Sequence, residues 1–167
     1  GDILHNIDLM DRYKFQLQDE LSAIIARSLV SNQSDDWDLP LLIEEVNLLL
    51  PSSKKIAVAD IASSTERKDI EDVLIGCADE TTQFLPEQLG EGIFSDLVRQ
   101  LALRALDTNW VQHLTSLENL RMGIGLHAYG QRDPLVMFKK ESHEMFESLL
   151  ERIQYETVRT IPQFSET

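Results

Sequence analysis

Cysteine is nearly absent from this chain of 167 residues, which carries a single thiol at Cys77. One cysteine excludes an internal disulfide and is typical of a reducing compartment. Cys77 lies at helical spacing from Ile70, Val73, Leu74 and Phe84. It has no histidine near it in sequence, so we expect an inert packing residue and not a nucleophile.

Long apolar runs are also missing, although 43% of the residues are hydrophobic. A membrane-spanning helix needs about 20 consecutive, mostly apolar residues, and no such run occurs. We also expect no signal peptide before the first predicted helix. Composition and length therefore predict an acidic globular protein of one or two domains.

Positive charge is scarce, with 15 Lys and Arg against 29 Asp and Glu and a net charge of −14. Residues 1–90 hold 7 cationic and 18 anionic side chains, a balance of −11. Phosphate groups are bound by clustered Lys and Arg, which this half lacks. The acidity argues against nucleic acid and anionic lipid as partners of this half, and we expect no nucleic acid as a partner.

Residues 121–140 are an exception, with a local charge of +3 from Arg121, Arg132, Lys139 and Lys140 against Asp133. This charge favours an anionic lipid surface or an acidic loop as a partner. It is equally compatible with an ordinary solvated helix end, and the pattern leaves both interpretations open.

Catalytic motifs are lacking as well. The sequence contains no GxxxxGK[ST] phosphate-binding loop, so we expect no ATP hydrolysis by this chain alone. Two-metal carboxylate sites in helical bundles use Glu-x-x-His pairs on facing helices, and none is present. The four histidines are far apart in sequence, at positions 5, 113, 127 and 143. We predict no catalytic residue, no metal site and no cofactor in this chain.

Helical periodicity dominates the first half. Apolar residues at spacings of three and four predict a helix from about Ile3 to Val30. Asp38 with Pro40 predicts a second helix start, and Trp37 beside it is expected to be a core anchor. Lys54 to Ile61 alternates weakly and predicts a short extended segment.

The middle of the chain carries signals for two further helices. Ser63 to Glu66 has the capping-box spacing and predicts a helix that runs to about Leu85, where Pro86 interrupts the pattern. A long helix then opens near Glu87 or Glu91.

The second half predicts a helical hairpin. One apolar stripe is formed by Leu103, Leu106, Trp110, Leu114, Leu117, Leu120 and Ile124. A second stripe follows at Leu135, Phe138, Phe146, Leu149, Ile153, Val158 and Ile161. Two such helices joined by a short turn should pack antiparallel. We predict an all-α fold, with an acidic helical domain over residues 1–90 and the hairpin within residues 91–167.

The predicted tip of the hairpin is at about residues 127–132. Gly130 can adopt left-handed backbone angles, and Asp133 followed by Pro134 predicts the start of the second helix. Tyr129 occupies the apex between two small residues, where helical periodicity does not require an aromatic side chain. An exposed contact residue and a ring folded back onto its own hairpin both remain open.

The hairpin resembles the two-helix finger of SecA, the motor of bacterial preprotein translocation. The resemblance rests on Leu106-Asp107, Trp110, His113-Leu114, Leu120-Arg121, Gly123-Ile124, Leu126, Tyr129, Gln131 and Asp133-Pro134. It continues more loosely through Phe138, Lys140-Glu141 and Phe146, and upstream it includes the segment DDWDLPLL. Residues 1–90 then resemble the helical wing of this family, and residues 91–167 resemble part of the helical scaffold.

The resemblance implies a functional setting. In this family, ATP and Mg²⁺ bind between two motor domains upstream of the matched region, and a C-terminal tail binds zinc through several cysteines. The implied partners are the SecYEG channel, an unfolded preprotein and the motor domains in cis. An anionic membrane surface is a further partner that the local charge of residues 121–140 leaves open. The implied location is the cytoplasm and the cytoplasmic face of the inner membrane.

The resemblance also implies site residues. Those of the finger tip, expected to contact substrate and channel, are His127, Tyr129, Gln131 and Arg132. Those of the finger base, expected to be structural, are Asp107, Trp110, His113 and Arg121. The family usually has a basic residue at the position of His127 and often a polar one at Gly125. A competing interpretation is a stand-alone adaptor module that uses the hairpin to bind a partner helix.

Overall fold

The computed structural model describes residues 2–127 and 133–165, with the backbone alone described for residues 2–8, 126 and 127. This part of the chain forms five α-helices and contains no strand, which confirms the predicted all-α class. The helices are α1 (Asp2–Ser28), α2 (Leu39–Asn47), α3 (Arg67–Leu89), α4 (Glu91–His127) and α5 (Pro134–Thr160). Short 3-10 helices cover Ser34–Asp36, Ser52–Lys54, Val58–Asp60 and Ile161–Ser165.

The chain divides into two compact units. Unit 1 contains the residues up to Leu101 and those from Thr157 onward, and unit 2 is Ala102–Glu156. Helices α4 and α5 contribute residues to both units. The predicted domain boundary at residue 90 stays a prediction.

Unit 1 is organised around the apolar face of α1. Tyr13, Leu17, Leu21 and Ile24 follow one another at helical spacing and are all buried. They belong to a core that also takes in buried side chains of α2 and α3, the first turns of α4 and the last residues of α5. The Tyr13 and Phe94 rings are in an edge-to-face arrangement, with centroids 5.4 Å apart and 75° between the ring planes. Such a contact stabilises beyond the area that it buries.

The start of α2 follows the local signals in the sequence. Asp38 is the N-cap, and its carboxylate accepts a hydrogen bond from the backbone N–H of Leu41 at 3.2 Å. Trp37 packs against the core of unit 1, and its indole N–H donates to the carbonyl oxygen of Ser31 at 2.8 Å. The prediction that Trp37 is a core anchor is therefore confirmed.

The predicted extended segment at residues 54–61 is only partly right, because extended backbone angles occur at Lys55 and Ala57 but not over the whole range. Two 3-10 helices occupy this region, and the stretch between them pairs with a side chain instead of a strand. The Asn47 amide donates to the carbonyl oxygen of Ile56 at 2.9 Å and accepts from its N–H at 2.9 Å. Because one side chain satisfies both backbone groups of Ile56, the segment needs no partner strand.

Two predictions about α3 are wrong. The helix begins at Arg67 after the N-cap Glu66, whose side chain makes no capping hydrogen bond, so the capping box at Ser63 does not form. Pro86 lies inside the helix, which continues to Leu89. Leu85 and Pro86 are both buried, and this burial outweighs the hydrogen bond that proline cannot donate.

The boundary between α3 and α4 is set by Gly90. Its φ of +88° ends α3, because few residues other than glycine adopt such an angle. The N–H of Gly90 donates to the carbonyl oxygen of Pro86 at 2.8 Å. Helix α4 then opens at Glu91, one of the two predicted starts. Helix α5 begins as predicted, because the carboxylate of Asp133 accepts from the N–H of Leu135 at 3.0 Å beside Pro134.

Candidate functional site: the α4–α5 groove

Helices α4 and α5 contact each other within unit 2. The Asn109 amide on α4 donates to Oε2 of Glu156 on α5 at 3.2 Å. The His113 ring on α4 faces Phe146 on α5, with centroids 6.2 Å apart. Earlier residues of α4 thus meet later residues of α5, which is the order of contacts expected for antiparallel helices.

Asn109 is a buried polar residue that the sequence analysis missed. It is 6% exposed, and its amide also donates to the carbonyl oxygen of Ala105 at 2.7 Å. Burial of a polar group is costly unless it is hydrogen-bonded, so the contact with Glu156 specifies how the two helices align. The signal in the sequence was its position four residues after Ala105 and four residues before His113, which places all three on one side of the helix.

The predicted buried stripe of α4 is partly wrong. Leu103, Trp110 and Leu114 are 53%, 42% and 48% exposed. The buried side chains of this helix in unit 2 are instead Ala105, Asn109 and His113, among the residues that the structure describes. A small side chain lets the helices approach closely, and polar side chains form specific contacts between them. A search for apolar residues at helical spacing does not detect either kind of side chain.

Two of the four predicted base residues lie together. The ring of Trp110 is 5.4 Å from that of His113, with 36° between the ring planes. His113 is only 4% exposed, and its ring is near those of both Trp110 and Phe146. It is the buried member of this aromatic group, whereas Trp110 and Phe146 are 42% and 44% exposed.

The other two predicted base residues are at the surface and do not join this group. Asp107 is exposed. Arg121 is also exposed and donates to Oε1 of Glu118 at 2.6 Å. That hydrogen bond, with the charge of the same carboxylate, raises the pKa of the Arg121 guanidinium. The predicted role of all four residues at the base of a finger stays a prediction.

The predicted tip residues fall where the structure gives no side chains. His127 is the last residue of α4, and only its backbone is described. Tyr129, Gln131 and Arg132 lie outside the described residues. Their predicted contacts with substrate and channel stay predictions.

A groove of about 290 Å³ separates α4 from α5 on one side of unit 2. His113 and Ser116 line it from α4, and Glu141, Glu144, Ser148 and Arg152 line it from α5. The Nε atom of Arg152 is buried and has no hydrogen-bond partner in the structure. The groove thus combines hydroxyl, imidazole and guanidinium donors with two carboxylates near one end.

Chemistry of other kinds finds little support in the described residues. No group of three or more His, Cys, Asp and Glu side chains among them could hold a metal ion. Cys77 is half-buried, and burial together with the charges of Glu80 and Asp60 raises the pKa of its thiol. The reactive thiolate is therefore disfavoured. None of the helices, over the residues described, is long and apolar enough to cross a membrane.

The family model and the known proteins that match this chain agree with each other. A family model described as the SecA Wing and Scaffold domain matches residues 1–165. The protein translocase subunit SecA of Dehalococcoides mccartyi is 34% identical over 159 residues, covering 95% of this chain and 17% of that protein. The corresponding subunit of Syntrophobacter fumaroxidans is 32% identical, covering 87% of this chain and 17% of that protein. That of Halothermothrix orenii is 37% identical, covering 76% and 15% respectively.

Proposed function

This chain belongs to the SecA family as its wing and scaffold domain, and we propose that it is part of a motor that drives preproteins through the SecYEG channel. The chain spans 15–17% of the length of the three relatives described above. ATP hydrolysis, with Mg²⁺, is assigned in this proposal to motor domains in the remainder of the full-length protein. The chain contributes the wing and the two-helix finger and supplies no catalytic residue.

The pairing of α4 with α5 is the observation that supports a mechanical role. Two helices in lateral contact resist bending better than a single helix or a loop. The part of α4 within unit 2 is residues 102–127. It is about 39 Å long, at a helical rise of about 1.5 Å per residue. Contacts such as Asn109 with Glu156 keep the two helices aligned, so a displacement at the base of the finger is delivered to its tip.

The tip makes the proposed contact with the preprotein. Tyr129 presents a large ring with a hydroxyl group, which can contact many side chains without sequence preference. In the same proposal, its polar neighbours in sequence contact the mouth of the channel: His127, Gln131 and Arg132. Finger movement and nucleotide state are then coupled, and the coupling between the two sites must be reciprocal.

The proposed location is the cytoplasm and the cytoplasmic face of the inner membrane, where the protein associates peripherally. The local charge of +3 over residues 121–140 favours contact with an anionic lipid surface near the channel. The acidic character of residues 1–90 disfavours such contact for the wing and disfavours nucleic acid.

Replacement of Tyr129 by alanine in the full-length protein should slow preprotein translocation about tenfold or more, because a central aromatic contact contributes about 2 kcal/mol. Tyr129→Phe retains the ring and should stay within about threefold of the wild type. Translocation into inverted membrane vesicles and ATPase activity without preprotein are measured for both variants. Wild-type translocation by Tyr129→Ala, with normal ATPase activity, would refute the proposed role of the tip.

A further inference from the structure

Arg152 is an unpaired cation in the groove between α4 and α5. Its guanidinium forms no ion pair in the part of the chain that the structure describes, and its Nε atom is buried without a hydrogen-bond partner. A buried donor without a partner costs free energy, and the cost is larger for a charged group. This side chain is therefore poised to donate to an acceptor that enters the groove.

The neighbours of Arg152 supply further donors. Ser148 lies one turn before it on α5, and His113 and Ser116 of α4 line the same groove. His113 is 4% exposed, and its ring is 5.4 Å from that of Trp110 and 6.2 Å from that of Phe146. A guanidinium with two hydroxyls and an imidazole matches the acceptor oxygens of a carboxylate or phosphate group.

The two acidic residues of the groove lie toward its opposite end. Glu144 precedes Arg152 by eight residues and Glu141 precedes it by eleven. At the rise of an α-helix these separations are about 12 Å and about 16 Å along the axis. Both glutamates are exposed, and neither forms an ion pair with Arg152. They therefore leave the basic end of the groove open to an anion.

From these observations we infer that the basic end of the α4–α5 groove is a binding site for a small oxyanion. Arg152 is the principal ligand, and Ser148, Ser116 and His113 are supporting donors. The groove volume of about 290 Å³ accommodates a carboxylate or phosphate group together with a few further atoms. This site is separate from the tip, so it does not depend on the proposed contact of Tyr129 with preprotein.

The test follows the Arg152 side chain by NMR in the 167-residue chain. The Nε–Hε cross peak is recorded while sodium phosphate or sodium acetate is added, with sodium chloride at matched ionic strength as the reference. We expect a saturable shift with phosphate or acetate and none with chloride. Saturation by phosphate alone assigns a phosphate-type site, and saturation by acetate assigns a carboxylate-type site. No saturable shift with either anion would overturn the inference.

Variants establish that binding occurs in the groove. Backbone amide shifts of α5 report anion binding where the Arg152 side chain has been removed. Arg152→Gln should weaken the affinity about tenfold or more, as expected for loss of a charge-assisted contact. The control Arg104→Gln changes an exposed arginine of the same unit and should leave the affinity unchanged. Equal weakening by both variants would show general charge screening and would overturn the inference.

Ser148→Ala keeps the guanidinium and removes one hydroxyl donor. We expect the affinity to fall about threefold, with the Arg152 cross peak still shifting on saturation. If circular dichroism shows that Arg152→Gln does not fold, the affinity of Ser148→Ala decides whether the anion binds in the groove. An unchanged affinity in Ser148→Ala would then contradict the proposed site.

Discussion

Replacement of Tyr13 by alanine should lower the free energy of unfolding by about 3–5 kcal/mol, the range for large aromatic side chains removed from a core. Tyr13 is completely buried in unit 1, and its ring contacts Phe94 edge-on. Alanine leaves a cavity that neighbouring side chains cannot fill completely, and it also removes the aromatic contact. Urea denaturation followed by circular dichroism measures the loss.

The matched variant Tyr13→Phe should behave in the opposite way. The Tyr13 hydroxyl is buried and has no hydrogen-bond partner in the structure, and its burial raises the pKa of the phenol. Removal of an unpartnered polar atom should leave stability unchanged or increase it by about 1 kcal/mol. A loss of more than about 1 kcal/mol in Tyr13→Phe would contradict this description of the core, because it would require a partner for the hydroxyl.

Leu149→Asp should separate α5 from α4 and destabilise unit 2 by about 5 kcal/mol, because it combines a core cavity with an unpaired buried charge. Leu149 is 1% exposed and is the large apolar side chain most fully buried in this unit, among the residues that the structure describes. Native-state hydrogen exchange should show loss of protection along the paired parts of both helices.

Leu150→Asp is the matched control, since the neighbouring residue is 46% exposed. Its effect should stay within about 0.5 kcal/mol. Leu149→Met conserves volume and should cost less than about 1.5 kcal/mol. If Leu149→Asp and Leu150→Asp lowered hydrogen-exchange protection equally, Leu149 would not be part of the contact between α4 and α5.

The parts of the fold that were predictable from sequence depend on short-range signals. Asp38 and Asp133 cap helices through contacts with residues two or three positions away, so the local sequence contains the whole interaction. The helical class likewise follows from apolar spacing within single segments. The SecA resemblance was recognisable because many fixed positions of the finger fall within about forty residues.

Two departures from the sequence predictions concern competition between local and tertiary effects. Pro86 remains inside α3 because burial outweighs a lost hydrogen bond. The stretch around Ile56 is held by Asn47, nine residues earlier, and no local pattern indicates such a pairing. The capping-box spacing at Ser63 was present, but the helix begins only at Arg67.

The candidate groove was even less accessible from sequence. Asn109 and Glu156 are 47 residues apart, and only the pairing of two helices brings them within hydrogen-bond distance. His113 was predicted as a structural residue, yet its position near two aromatic rings and in the same groove as Arg152 requires knowledge of both helices. A tertiary contact of this kind depends on helix register, which apolar periodicity alone fixes poorly.

The proposed function requires that the tip between α4 and α5 meets both the channel and the preprotein. Disulfide crosslinking from position 129 in the full-length protein tests it most directly, with every native cysteine, Cys77 included, replaced by serine. The account predicts that Tyr129→Cys forms disulfides with cysteines in cytoplasmic loops of SecYEG and with a stalled preprotein. Absence of both crosslinks, in a variant that still translocates and hydrolyses ATP, would contradict the finger function.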